Sequence, residues 1–536
     1  MARWVGGPWT RPPVIDFPLC RSIIRQTDVS VFARESDVKR MYTWAAAAAL
    51  LIGCDDGGDA EPPIQVGVDG GAGGEGGAGG AGGAGGAGGV GGEGGAGGEG
   101  GAGGEGGAGG AGGAAGEGGA GGGPPPVDCG DGWTGNPGRW ALPFDLEDSS
   151  LVASASHTSL DLDGDGLLDF LLHNNALNYA AIDEPLLGSA FWLLWRGTPD
   201  GWTERPQRWS IPFDLRPVGS PLSGPLYALA DLTGDGRADF VVTRRGDGTP
   251  NDPLIGRAHW LVYENTGEGF ANAPIQWRLP FSLQDGGDHA DLGTNAHTLL
   301  DLDGDARPDF VVFRDSELPE RDPLIGKAYW RVYPNTGEGF AAESARYTLP
   351  YSLNENTDFR DLATNGHSVL DLDGDRRPDF VVLSDDELPR ADPLIGQAYW
   401  RIHRGGDRGF DADGARWALP YPLDARSPVA NRFHGLLDLD ANGKVDFVVF
   451  QNGEAPEADP LVARNHWLVF ANESDGFASE GTPWRLPFAL DNQSAPGGRQ
   501  HAVLALDTPC PRFVVLQNGL APQADPLIGS AYWHAW

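Results

Sequence analysis

The residues best suited to chemistry in this chain are carboxylates. In Asp301-Leu-Asp303-Gly-Asp305-Ala-Arg307-Pro-Asp309, four aspartates hold positions 1, 3, 5 and 9 of one loop. Like charges this close repel, so the loop calls for a cation. Alternating hard oxygen donors suit Ca²⁺, which accepts about six to eight oxygens in flexible geometry, and the position-7 backbone carbonyl can add another. An EF-hand loop would end in Glu and enter a helix. Here Asp309 runs straight into Phe310-Val-Val312, a β signal. The expectation is a calcium loop inside a β-hairpin.

The loop recurs. The candidate ligands are Asp161, Asp163, Asp165, the Leu167 carbonyl and Asp169 in the first copy. The second copy offers Asp231, Thr233, Asp235, the Arg237 carbonyl and Asp239, and the third offers Asp301, Asp303, Asp305, the Arg307 carbonyl and Asp309. Asp371, Asp373, Asp375, Arg377 and Asp379 make the fourth set, and Asp438, Asp440, Asn442, Lys444 and Asp446 the fifth. Loops one, three and four, with four aspartates each, are expected to bind most strongly; Thr233 and Asn442 weaken the other two. A sixth copy, Ala505-Leu-Asp507-Thr-Pro-Cys510-Pro-Arg-Phe513, keeps the strand and loses the ligands.

Repetition at a period of about 70 residues decides the architecture before any local signal does. Around the third loop, His297-Thr-Leu-Leu300 leads in and Phe310-Val-Val-Phe313 leads out. Ala328-Tyr-Trp-Arg-Val-Tyr333 follows, then the turn Asn335-Thr-Gly-Glu-Gly-Phe340 and a strand ending Tyr347-Thr-Leu-Pro-Tyr351. Four antiparallel strands repeated radially describe a β-propeller blade. Each signal occurs six times, so the expected fold is all-β: a six-bladed propeller over residues 129–536. The domain opens on a turn and a fourth strand (Gly130-Asp-Gly-Trp133 to Leu142-Pro-Phe144) and closes on a third strand (Ala531-Tyr-Trp533). The N-terminal strand should therefore complete the sixth blade and hide two sheet edges. That exchange brings Cys129 to the same end of the blade as Cys510, and a disulfide between them is expected.

The pattern Asp-x-Asp-Gly-Asp-Gly-x-x-Asp-Phe-Val-Val, followed by Val-Tyr-x-Asn-Thr-Gly-Glu-Gly-Phe, resembles the FG-GAP/VCBS repeat family, which includes the integrin α-subunit propeller. The resemblance covers residues 129–536 and implies that Asp161, Asp163, Asp165, Asp169 and their equivalents bind Ca²⁺ and brace each blade. Ala306 and Arg376 depart from the family's usual Gly, so those loops need either a positive φ or a different turn.

Ahead of the repeats, Arg34, Lys39 and Arg40 precede the apolar run Trp44–Ile52, which ends Gly53-Cys54. These are the parts of a secretion signal, too short to span a bilayer. Leu51-Ile-Gly-Cys54 also resembles a bacterial lipobox, which would make residues 1–53 a leader and Cys54 a lipidated N-terminus. Residues 54–128 are dominated by Gly-Gly-Ala and Gly-Gly-Glu and cannot bury a core, so a disordered tether is expected. Its roughly 55 Gly-rich residues would span roughly 40 Å. The protein is thus read as exported and lipid-anchored to a bacterial membrane, at the cell surface or in the periplasm. A net charge of −37 repels phosphate and disfavours nucleic acid.

No Gly-x-Ser-x-Gly, His-Glu-x-x-His, P-loop or Cys-x-x-Cys motif is present. His157, His297, His367, His434 and His501 each lie four residues before a loop, as Tyr227 does in the second repeat. They are either structural hydrogen-bonders or a ring of ligands near a central channel. The repeated Asp-Pro-Leu-Ile-Gly reads as a turn anchor, and the repeated Trp residues as packing between blades or as platforms for sugars. Two functions follow: a monomeric, non-enzymatic binding or adhesion module for a protein or glycan, or an exported carbohydrate-active enzyme on a propeller scaffold. The ligand is expected on the face opposite the calcium loops, among the long loops around blades three and four.

Overall fold

The second strand of each repeat shows why the chain must form a ring. Asp169–Leu172, Asp239–Val242, Asp309–Val312, Asp379–Val382 and Asp446–Val449 are buried along their whole length. Successive strand residues point to opposite faces. A strand buried on both faces needs a sheet packed on both sides, and neighbouring blades provide that cover.

The computed structural model describes residues 129–536 apart from loop stretches (147–150, 175–181, 216–225, 247–248, 284–291, 293–295, 315–320, 354–365, 386–387, 424–428, 452–458, 491–495, 497–499 and 520–524) and positions 155, 183, 389 and 509. The leader, the tether and Cys54 lie outside the described residues, as do much of the loops expected to carry recognition.

Six antiparallel sheets carry four blade strands each, five of them in sequence order and the last closed by the N-terminal strand. Blade three runs His297–Leu300, Asp309–Val312, Tyr329–Tyr333 and Ala345–Thr348. Its hairpin register pairs Leu300 with Asp309, which puts the ninth loop residue at the mouth of the strand pair. Fourth strands are exposed except for one aromatic, such as Trp277, Tyr347 or Trp417. The N-terminal strand Gly138–Ala141 pairs with Tyr532–Ala535 and completes blade six, with Trp140 opposite Trp533. Cys129 and Cys510 form a disulfide with a Cα–Cα distance of 5.4 Å. Beside it the Trp133 indole N–H donates to the Pro511 carbonyl at 2.8 Å.

Contacts between blades repeat around the whole ring. The third-strand tryptophan of one blade meets the turn aromatic of the next edge-on: Trp192 with Phe270, Trp260 with Phe340, Trp330 with Phe410, and Trp400 with Phe477. Trp467 meets Trp133, and Trp533 meets Trp202, so the closure uses the same joint. The six third-strand tryptophans are fully buried and cannot serve as sugar platforms. The repeated histidines are buried as well. His157, His297, His367, His434 and His501 stack on Phe170, Phe310, Phe380, Phe447 and Phe513 of the partner strand. The His157 ring nitrogens meet Ser154 Oγ and the Leu151 carbonyl, and burial pushes this imidazole down to about 4. The structural reading of these rings holds, and the ligand ring is set aside.

Asp-Pro-Leu-Ile-Gly anchors a turn. Asp322 and Asp392 each accept from a backbone N–H two residues on, from a Tyr hydroxyl (Tyr329, Tyr399) and from an Arg (Arg331, Arg401). In blade one Glu184 pairs with Arg208, while Asp183, the first residue of that copy, lies outside the described residues.

Candidate metal centres

Each acidic loop is organised by its own carboxylates. The position-1 aspartate accepts backbone N–H groups from positions 4 and 6: Asp161 from Gly164 and Gly166, Asp301 from Gly304 and Ala306, Asp371 from Gly374 and Arg376. This is why Ala306 and Arg376 adopt φ of 70° and 77°, a left-handed conformation that costs a non-glycine residue energy. The hydrogen bond to Asp301 or Asp371 offsets that cost.

The position-9 aspartate has a second task. Its oxygens accept from the position-2 N–H and from the turn after the third strand. Asp169 takes Leu162 and Gly197, Asp239 takes Leu232 and Asn265, and Asp379 takes Leu372 and Gly405. Asp309 and Asp446 accept from Asn335 and Asn472. One carboxylate thus ties loop, second strand and third-strand turn together.

Burial gives these acids an electrostatic problem. It pushes the position-9 carboxyls up, to about 8 in Asp169, Asp309 and Asp446 and about 7 in Asp239 and Asp379. At position 1 it lifts Asp231, Asp301 and Asp371 to about 6 and Asp438 to about 7. Neighbouring aspartates push the same way, and the backbone donors pull against them. Among the described residues, three loops bring three carboxylates close enough to share one ion, with ligand atoms all within 4.8 Å of one another. These are Asp161/Asp163/Asp169, Asp301/Asp303/Asp305 and Asp371/Asp373/Asp379. The second and fifth loops, which carry Thr233 and Asn442, hold no such trio. In the second, Thr233 Oγ1 lies 3.4 Å from Asp231; in the fifth, Asn442 Nδ2 donates to Asp440 at 2.9 Å. An all-oxygen, multiply anionic donor set fits a hard divalent cation.

The sixth loop tests that fit from inside the molecule. There the residue opposite Leu504, in the register that Asp309 holds opposite Leu300, is Arg512. Its guanidinium lies on Asp507 with contacts of 3.0 and 2.8 Å. Where the acids are lost, the chain supplies a positive charge of its own at the same place.

Several contributing residues are invisible to a loop motif. Arg196 and Arg404, from third-strand turns, pair with Asp163 at 2.7 Å and Asp373 at 3.1 Å. Position-7 side chains reach backward. Arg237 passes so close over Gly164 of the preceding blade that a Cβ there would sit 2.5 Å from its Cγ, and Arg307 and Lys444 treat Gly234 and Gly374 alike. Asn265 Nδ2 donates to the Leu162 carbonyl of the preceding loop and to Ala238; Asn335 and Asn472 do the same with Leu232 and Leu372. Neighbouring loops are therefore mechanically joined. The recurrence of Asn two residues after the third strand, as Asn265, Asn335 and Asn472, was the available signal.

No protein-family model matches the chain, and no curated protein does. Among solved structures it is similar to the Photorhabdus luminescens Tc holotoxin pore, at 17% identity and TM-score 0.42 over 74% of this chain and 14% of that one. It is also similar to an Agrocybe aegerita lectin that recognises non-reducing terminal N-acetylglucosamine, at 18% identity and TM-score 0.35 over 67% of this chain and 74% of that one. Pyrococcus horikoshii acylaminoacyl peptidase stands at 11% identity and TM-score 0.25, over 69% and 49%. At these values none bears on function, and the six-bladed ring rests on its own strand pairing.

Proposed function

We propose that this chain is a surface-anchored, calcium-stabilised propeller of FG-GAP/VCBS type, serving as a non-enzymatic binding or adhesion module for a protein or glycan. The observation that carries the calcium reading is the exchange in blade six, where the Arg512 guanidinium takes the place of the ninth aspartate. The other five loops bury an aspartate at that place; Arg196 and Arg404 pair with Asp163 and Asp373 rather than with the ninth carboxylates, and a divalent ion would answer the remaining charge. The ion would be held by the carboxylates of each loop, with Thr233 and Asn442 as neutral donors, and would lock hairpin and turn together. A ring stiffened at its acidic face can present the long loops of the opposite face to a partner. The lipobox-like Cys54 and the Gly-rich stretch would hold that ring off an exported membrane surface.

Thermal unfolding in millimolar calcium and after EDTA tests the first half. An ion that binds only the folded state at about 100 times its Kd adds about 2.7 kcal/mol per site, so the melting temperature should fall clearly in EDTA. An unchanged melting temperature refutes the calcium reading. A glycan and protein array in calcium tests the second half, and mass spectrometry of the mature N-terminus tests lipidation at Cys54.

A further inference from the structure

Six copies of one blade show where the scaffold has been altered. The first residue of each third strand faces the last residue of the fourth. In blades one, three, four and six these pairs are Phe191 with Ser210, Tyr329 with Thr348, Tyr399 with Ala418, and Tyr532 with Ala141. An arginine of the fourth strand covers each ring: Arg208, Arg346 and Arg139 at 4.6 Å from the centroid, and Arg416 at 4.7 Å. Blades two and five break this pattern together. The aromatic becomes His259 and His466, the covering arginine becomes Gln276 and Pro483, and the facing residue becomes Arg278 and Arg485. Arg257 and Arg464 stand two residues before those histidines. In a ring of six, blades two and five lie opposite each other.

The exchange opens space. On blade five a groove of about 470 Å³ is lined by Arg464, Asn465, His466, Arg485 and Phe488, with Thr134 contributed by the N-terminal segment. Asn465 stands where the other five blades have Ala190, Ala258, Ala328, Ala398 and Ala531. Among the described residues, no carboxylate lines the groove. Asp459 meets His466 at 3.0 Å and Asp131 meets Arg485 at 3.4 Å, while the Arg485 side chain keeps 63% of its exposure. On a chain of net charge −37, a groove where Arg464, His466 and Arg485 converge, with Asp459 and Asp131 beside the latter two, favours an anion. The planar guanidinium matches a carboxylate or sulfate through paired N–H donors. Phe488, half-buried beside Pro487, offers an apolar wall of the kind a sugar ring packs against.

We propose that this groove binds an acidic saccharide, its carboxylate or sulfate held by Arg464 and Arg485 and its ring set against Phe488. Blade two carries the same exchange across the ring, at Arg257, His259 and Arg278. The proposal rests on the binding role given above and names its ligand class.

Calorimetric titration of the full chain in calcium tests it, with trigalacturonate, a sulfated disaccharide and neutral cellotriose as probes. One anionic probe should bind with an affinity that falls as salt rises, and which of the two binds tells carboxylate from sulfate. Binding should weaken roughly tenfold or more in Arg464→Gln and in Arg485→Gln. The control Arg346→Gln, on blade three, should bind like wild type, and all three variants should melt like it. Binding unchanged in both groove variants, equal binding of cellotriose, or binding of neither anion overturns the proposal. If array ligands bind and ignore these variants, the groove assignment falls while the general binding role stands.

Discussion

Asp379→Asn separates a carboxylate that serves a metal from one that serves the protein alone. Asp379 is fully buried, accepts from Leu372 and Gly405 at 3.1 Å each, and belongs to the trio Asp371/Asp373/Asp379. Without an ion, burial lifts its carboxyl from 3.8 to about 7. At pH 7 that shift costs the metal-free fold on the order of 4 kcal/mol, at 1.36 kcal/mol per unit. Asn is nearly the same shape and removes that cost. It keeps one oxygen acceptor and turns an amide towards the other N–H, at a loss of about 1–3 kcal/mol. In EDTA the variant should therefore be neutral or more stable by about 1–3 kcal/mol, the difference of those two estimates. In calcium it loses a charged ligand and should melt below wild type. Differential scanning calorimetry of both proteins, each with calcium and with EDTA, reads the crossing directly. Equal destabilisation in both conditions would show that the carboxylate is held by backbone donors and would sink the argument for a cation at this loop.

The pH dependence of the metal-free domain carries a definite sign. The folded-state values of Asp169, Asp309 and Asp446 lie near 8 and those of Asp239 and Asp379 near 7, all raised from 3.8 by burial. Their stabilising contribution is full below about 4 and is lost as pH rises through 7–8, so in EDTA the melting temperature should fall between pH 5 and pH 8, and calcium should flatten that slope; a rising slope in EDTA contradicts the raised values. Arg512→Met breaks the pair with Asp507 and should cost about 1–3 kcal/mol equally with and without calcium, because that loop carries its own positive charge; a calcium-dependent cost would overturn the stand-in role. Cys510→Ser opens a loop with a sequence separation of 381 residues and should lower stability by about 5 kcal/mol in the chain-entropy model, measured by urea unfolding against wild type. Trp330→Ala removes a fully buried inter-blade joint and should cost about 3–5 kcal/mol in the same assay.

The loops and the blades were legible in the sequence because both depend on short-range spacing. Asp at positions 1, 3, 5 and 9 before Phe-Val-Val forces a hairpin with converging carboxylates whatever surrounds it. A 70-residue period with four β signals leaves little besides a propeller. The orphan strand at Gly138–Ala141 and the strand-poor end at Trp533 implied the closure, and the Cys129–Cys510 pair follows from it. Local spacing could not say which face of a tryptophan or histidine meets what. A ring-stacking histidine and a ligand histidine have the same position in the repeat, and only the Phe170-type partner across the strand pair separates them.

What the tertiary structure decided lies between blades. Asn265 reaching Leu162 spans 103 residues of sequence, and Arg196 meets Asp163 only because the turn folds back over the loop. These contacts exist once ring closure fixes the angle between neighbouring sheets, a global constraint that no window of the chain contains. The groove on blade five has the same origin. His466, Pro483 and Arg485 are unremarkable residues along the chain, and their meaning appears when the register places them where four other blades hold an aromatic under an arginine. The sequence by itself determined the number of blades, the acidic loops and the partner cysteines, since these follow from spacing along the chain. The distribution of charge and space around the ring was settled by tertiary packing, because it depends on atoms that only the closed ring brings together.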